Sequence, residues 1–274
     1  MKRMWCGPVD PYPTDQQDAG EPPLPDRARA AVDPLLRAAV RTLPEATGAF
    51  CAELLGRARP GRSVGPALVL AAARAVGGLE EDALTAAASI ELVYAMGLLY
   101  EDTAGRDTSA RPSAPPAAGR AGEALAALAI RLVAGRSAAV GVLCDCLVER
   151  SEAGDEAAGR GALFAAACAL GGVHGGAPPR IAAALSAFGR AVATAAAGGE
   201  AGPPRPGGAG TPPGGAPARP RPRPLAAVPP GGRPAHGGSA RSDPALEHLA
   251  SAVPDPEGAA DLLALYALIT RGEP

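Results

Sequence analysis

Aromatic side chains are almost missing from this chain: three Phe, four Tyr and one Trp, 3% of 274 residues. The hydrophobic fraction is nevertheless 47%, so it consists mainly of Ala, Leu and Val. Ala and Leu are strong helix formers, and the Tyr, Phe and Ile that suit a pleated surface are scarce. These absences exclude a β-rich fold and predict an all-α one. An excess of charge is missing too, with 26 Lys and Arg against 28 Asp and Glu, a net charge of −2. That balance argues against nucleic-acid binding by the whole surface. Five cysteines, Cys6, Cys51, Cys144, Cys146 and Cys168, are few and odd in number. Most lie in apolar helical surroundings, which fits reduced core thiols in a reducing compartment. Cys144-Asp145-Cys146 is no metal motif on a helix, because residues two apart face different ways. The three histidines, His174, His236 and His248, are isolated and read as structural or exposed. No apolar stretch follows the basic Lys2-Arg3, so no signal peptide is expected. No uninterrupted apolar run with membrane-like flanks is evident either, and a cytoplasmic protein without a transmembrane segment is expected.

Glycine and proline, by contrast, are abundant, at 36 and 31 residues, more than a compact helical domain would use. Much of the excess falls in two places. Residues 1–25 hold six prolines among acidic and polar neighbours and read as a disordered arm. Residues 201–242 combine repeated Pro and Gly with six arginines and no acid. Such a segment cannot bury enough apolar area to offset its chain entropy, and it reads as a disordered basic linker. Its Arg-Pro alternation favours an extended polyproline II form, which leaves open a docking role for an acidic or SH3-like partner. Between them, residues 26–200 carry helical periodicity, and residues 243–274 form C-terminal helices, over Asp243 to Val253 and Asp255 to Arg271, that pack on this domain.

Within 26–200 the reading gives a turn from Asp26 to Val32 and a helix opened by Pro34, then a helix over 45–57. A Pro66 helix stops at Gly77-Gly78, and a long apolar helix starts at Glu80-Glu81-Asp82, acids that suit a helix N-terminus. After Asp107 come helices over 120–134 and 137–149. A short helix over 161–170 is ended by Gly171-Gly172, and another follows from Pro178-Pro179 to about Ala197. The helix from Glu80 is apolar nearly all round, which marks it as buried, and it runs into the acids Glu101, Asp102 and Asp107.

The order of these features resembles the trans-isoprenyl diphosphate synthase (polyprenyl synthetase) family. The resemblance runs through Gly61-Arg62-Ser63-Val64-Gly65-Pro66, Gly77-Gly78, Glu91-Leu92, Leu98-Leu99-Tyr100-Glu101-Asp102 and Ala121-Gly122-Glu123-Ala124-Leu125. It continues through Leu163-Phe164 and Phe188-Gly189. It implies a helical bundle around a central apolar cavity. It also implies Mg²⁺-assisted condensation of an allylic diphosphate with isopentenyl diphosphate, with a homodimer or a heterodimer with an intact prenyl synthase. Carried over by position, Glu101, Asp102 and Asp107 are the metal ligands, Arg62 and Arg111 bind diphosphate, and Met96, Gly97 and Tyr100 line the cavity. Several expected groups are absent. Ser63 and Gly65 stand where the family has arginines, and the lysine before the Leu163-Phe164 piece is missing, with Arg160 nearby. Tyr94 and Tyr100 replace two histidines. The second aspartate-rich motif should begin at Glu200, where the linker starts instead. The resemblance therefore implies a family member with a degraded diphosphate and Mg²⁺ site, weakly active or non-catalytic, serving as a partner subunit or prenyl-chain binder. The alternatives are an active prenyltransferase, using Glu200 or the Glu152, Asp155 and Glu156 turn as its other wall, and an interaction protein acting through the Arg/Pro linker.

Overall fold

Alanine and glycine dominate the interior, and the helices they build pack backbone against backbone. The computed structural model describes residues 22–57, 63–104, 116–200, 243–253, 255 and 257–271, with side chains omitted for residues 100–104, 116–118 and 198–200. The described residues form ten α-helices and no strand. They are α1 (Leu24–Val40), α2 (Glu45–Gly56), α3 (Val64–Ala75), α4 (Glu80–Ala104) and α5 (Pro116–Val133). The others are α6 (Ser137–Glu152), α7 (Glu156–His174), α8 (Pro179–Glu200), α9 (Pro244–Ala252) and α10 (Ala260–Arg271). Residues 1–21 of the arm expected over 1–25 lie outside the described residues, and its last two, Leu24 and Pro25, begin α1. Residues 201–242 and 105–115, with Asp107 and Arg111, lie outside them too, as does Arg62.

Helix α7 is the centre of the bundle. It buries a continuous run from Gly161 to Gly172 and packs against α8, α3, α6 and α4. Helices α3 and α4 pack on each other, α5 covers α4, and α1 lies across α3 and α4. The C-terminal α9 rests on α8, and α10 rests on α3 and α8. By length and apolarity the stretch Glu80–Leu99 of α4 could cross a membrane, but 78% of it is buried inside the bundle. Core packing accounts for its composition.

Three sequence expectations are corrected. Asp26 and Pro34 do not divide two elements, because α1 runs through both as one helix. An internal proline costs about 3 kcal/mol, but Ala28, Val32, Leu36 and Ala39 form one buried stripe on both sides of it. That common burial favours continuation. The helix expected from Asp255 starts only at Ala260. The largest difference is α7, which extends well beyond the expected 161–170 at both ends. Asp155 caps its N-terminus, accepting a hydrogen bond from the Ala158 N–H at 2.8 Å. Its C-terminal stop is Gly176, at φ +82°, rather than Gly171-Gly172. Those two glycines are contact points. A Cβ on Gly171 would stand 2.3 Å from the Val69 carbonyl oxygen of α3, and one on Gly172 would stand 2.9 Å from Leu185 of α8. The expected stop at Gly77-Gly78 does stand: Gly77 has φ +83°, and the Gly78 N–H returns to the Ala73 carbonyl at 2.9 Å.

Two predictions follow from this packing. Gly171→Ala is expected to lower stability by about 1–3 kcal/mol, because α3 or α7 must shift. Gly141→Ala, on an open face of α6 with nothing near the added methyl, is expected to raise stability by about 0.5–1 kcal/mol. Urea unfolding of the two variants checks both signs. His174 gives the pH dependence. Its ring is buried, Nδ1 donates to the Asp82 carbonyl at 2.7 Å, and Nε2 has no partner. Burial lowers its pKa from the ordinary 6.5. The unfolded chain therefore takes the proton first, so stability is present above about pH 6.5 and declines as pH falls below it. The urea midpoint is expected to drop between about pH 7.5 and about pH 5. His174→Gln is expected to lose part of that slope.

Candidate functional site

The site is defined by which helix ends share one side of the bundle. Helix α7 runs antiparallel to α4. At one end His174 meets Asp82, and at the other the Arg150 guanidinium of α6 spans Gly159 of α7 and Gly97 of α4. Helix α8 runs antiparallel to α7, with Gly172 against Ala182 and Gly189 directly on the Phe164 carbonyl. Together these registers gather the C-terminal ends of α4, α6 and α8 and the N-terminal end of α7. That end carries Glu101 and Asp102 in the last turns of α4, Glu152 at the close of α6, Asp155 and Glu156 at the start of α7, and Glu200 closing α8.

The predicted residues fare differently. Glu101, Asp102 and Tyr100 fall on α4, at the end where the registers converge. Asp107, Arg62 and Arg111 lie outside the described residues. Met96 is buried, and Gly97 packs beneath a guanidinium. The alternative acidic turn reaches the same end, but its members are engaged or solvated. The Asp155 carboxylate caps α7, Glu152 is exposed, and Glu156 lies on the surface 4.0 Å from Arg160. Among the described residues no three His, Cys, Asp or Glu side chains gather closely enough to hold a metal ion. Cys144 is exposed and Cys146 buried, on opposite faces of α6 as their spacing predicts, and both are free thiols. Burial pushes the Cys146 and Cys168 thiols up to about 12, so neither is a thiolate at neutral pH.

The structure also accounts for two replaced cations. A Cβ on Gly65 would stand 2.7 Å from Cγ2 of Ile90, so α3 approaches α4 too closely for a side chain there. Ser63, just before α3, is buried in a left-handed conformation at φ 77°. Lys2 is the only lysine of the chain, so every cation of the helical bundle is an arginine. Sequence reasoning missed Arg150, because its importance depends on a glycine far away in the chain. A groove of about 700 Å³ runs between α6, α7 and α8, lined by Val142, Cys146, Ala162, Ala166 and Arg190 among others. None of its lining residues belongs to α4. Arg190 is held there by Glu149 at 2.7 Å.

Solved structures with this helical arrangement come from one group of enzymes. A polyprenyl synthetase from Streptomyces coelicolor A3(2) is 27% identical, with a TM-score of 0.52 over 63% of each chain. A decaprenyl diphosphate synthase from Rhodobacter capsulatus is 25% identical, with a TM-score of 0.52 over 64% of this chain and 65% of its own. The chain has the all-helical fold of the trans-isoprenyl diphosphate synthases. It spans less than two thirds of the length of either synthase. A geranyl diphosphate synthase small subunit from Antirrhinum majus, 20% identical, shares the fold with a TM-score of 0.53 over 63% of this chain and 81% of its own. By sequence alone, no family model and no curated protein matches the chain. Such a prenyl synthase fold is thus retained on a sequence whose separate motifs are weak.

Proposed function

We propose that this protein is a prenyl-diphosphate-binding member of the trans-isoprenyl diphosphate synthase family with little or no condensation activity, acting as the partner subunit of an intact prenyl synthase. One observation carries the reading. Helix α8 (Pro179–Glu200) holds a single carboxylate, Glu200 in its last turn, and residues 201–242 contain no acid at all. The wall facing the end of α4 therefore lacks a carboxylate cluster of its own. The tight contact of Gly65 with Ile90 supports the same reading, since it removes the room for a second cation at the start of α3.

The remaining residues fit binding better than turnover. Glu101, Asp102 and Asp107 are hard oxygen donors of the type that takes Mg²⁺, and Arg62 and Arg111 are the cations that the family resemblance assigns to diphosphate. When bound, Mg²⁺ would supply neutralisation of diphosphate charge. Met96 precedes these acids on α4 and is buried in the apolar core. Ionising an allylic diphosphate demands that the departing charge be stabilised from both sides in a water-poor site. A single carboxylate wall provides ground-state attraction and little of that extra stabilisation. The partner role is supported by the shared fold of a protein named as a geranyl diphosphate synthase small subunit.

Turnover with Mg²⁺, an allylic diphosphate and isopentenyl diphosphate is expected to fall below that of a two-walled synthase by on the order of 10²-fold per missing group. Product formation within about tenfold of such an enzyme rules the reading out. The partner role predicts that the full chain, purified from its native source, brings down a synthase carrying both acidic motifs, identified by mass spectrometry. Recovery only as a monomer or as a homodimer defeats that part of the reading.

A further inference from the structure

Arg150, in the last turn of α6, is a partly buried cation that has no counterion among the described residues. Its side chain is half-buried and reaches inward between α4 and α7. Nη1 donates to the Gly159 carbonyl at 2.9 Å, and Nε is buried with no hydrogen-bond partner. Nη2 lies over Gly97 so closely that a Cβ there would stand 1.9 Å away. Among the described residues no carboxylate forms an ion pair with it. The adjacent Glu149 is taken by Arg190, and Glu156 lies beside Arg160. A guanidinium stays charged at any working pH. Holding one partly out of water with an unmet N–H donor carries a free-energy cost that an anion would relieve.

Two features show that the slot is built for this group. Gly97 leaves the space in which the planar guanidinium lies, since the methyl of an alanine there would collide with its tip, and Gly159 on the other helix supplies the carbonyl that orients it. The slot also lies at the site end of the bundle. Gly97 precedes Glu101 by one helical turn, about 6 Å along the axis of α4. We propose that Arg150 is the interior anion contact of the site, offering Nη2 and Nε to the terminal oxygens of a diphosphate seated at the C-terminal end of α4. The inference rests on the prenyl-diphosphate reading above and deepens it by naming a cation that lies outside the family-like motifs. Arginine suits the task because its fork can hold two oxygens of one phosphate at once.

The test is calorimetric titration of the full chain with inorganic pyrophosphate in the presence of Mg²⁺, with thermal unfolding of every variant recorded alongside. Arg150→Met is expected to weaken binding about 10-fold or more, and Arg150→Lys to weaken it less, because a point charge remains without the fork. Gly97→Ala keeps Arg150 but pushes the flexible tip of its side chain out of the slot. It should reproduce the loss seen in Arg150→Met with little change in unfolding temperature. Arg180→Gln, an exposed arginine at the opposite end of α8, should bind as the parent does. Asp102→Asn separates the two claims. If Asp102→Asn loses pyrophosphate while Arg150→Met and Gly97→Ala bind within about twofold of the parent, the diphosphate reading stands and the role of Arg150 is overturned. If the parent chain does not bind pyrophosphate, both are overturned. Should Arg150→Met fail to fold, Gly97→Ala decides the matter.

Discussion

Close approach of helix backbones, permitted only by glycine, is the constraint on which the rest of this structure depends. Gly171 faces the Val69 carbonyl, Gly189 faces the Phe164 carbonyl, and Gly175 lies against Ala73 and Val76. Among the described residues Phe164 and Phe188 are the buried aromatics, and the other large core side chains are mainly leucines. The axial register of α3, α7 and α8 is set by places where a Cβ cannot be accommodated. Dispersion between closely spaced alanine-rich helices then supplies the cohesion, many small contacts replacing a few large ones. Because these registers are fixed, the acidic ends of α4 and α8 and the charged end of α6 necessarily meet. The position of the site is a consequence of packing.

That constraint also explains what sequence reasoning could and could not recover. Helix type and approximate position were legible because Ala and Leu dominate and the acids of Glu80-Glu81-Asp82 mark a start. The end at Gly77 was legible because a positive φ after a helix demands glycine. Gly171-Gly172 looked the same in the sequence but does the opposite, lying inside a helix to admit its neighbours. Nothing local distinguishes a glycine that ends a helix from one that lets another helix in, since the difference lies in residues on other helices, Val69 of α3 for Gly171 and Leu185 of α8 for Gly172. Pro34 misled for a similar reason: its local cost was visible, and the buried stripe on both sides of it, which favours continuation, was not weighed.

The site divides along the same line. The placement of Glu101 and Asp102 on α4 followed from the long apolar run, a local pattern. The family likeness was carried by the order of weak motifs along residues 30–200, none of them decisive alone. Arg150 was invisible because it carries no motif. Its significance arises only when antiparallel packing brings Gly97 and Gly159 to either side of its guanidinium. The absent arginine at Gly65 was visible as a departure from a pattern, and the contact with Ile90 supplies the cause.

Loss of one wall and retention of an interior cation have different energetic meanings. A cation that touches a diphosphate before and after ionisation stabilises both states and mainly sets affinity. Carboxylate-held metal on two facing helices matters most where the leaving diphosphate gathers charge, so removing one wall lowers the rate far more than the affinity. On the proposed reading, a chain with one acid on α8, a closed contact at Gly65 and a guanidinium beside Gly97 that is unpaired among the described residues keeps the groups that bind and lacks those that discriminate in favour of the transition state. Stability reinforces the asymmetry. Core glycines and alanines are held in place by packing with or without turnover, whereas carboxylates at an exposed helix end contribute little to folding.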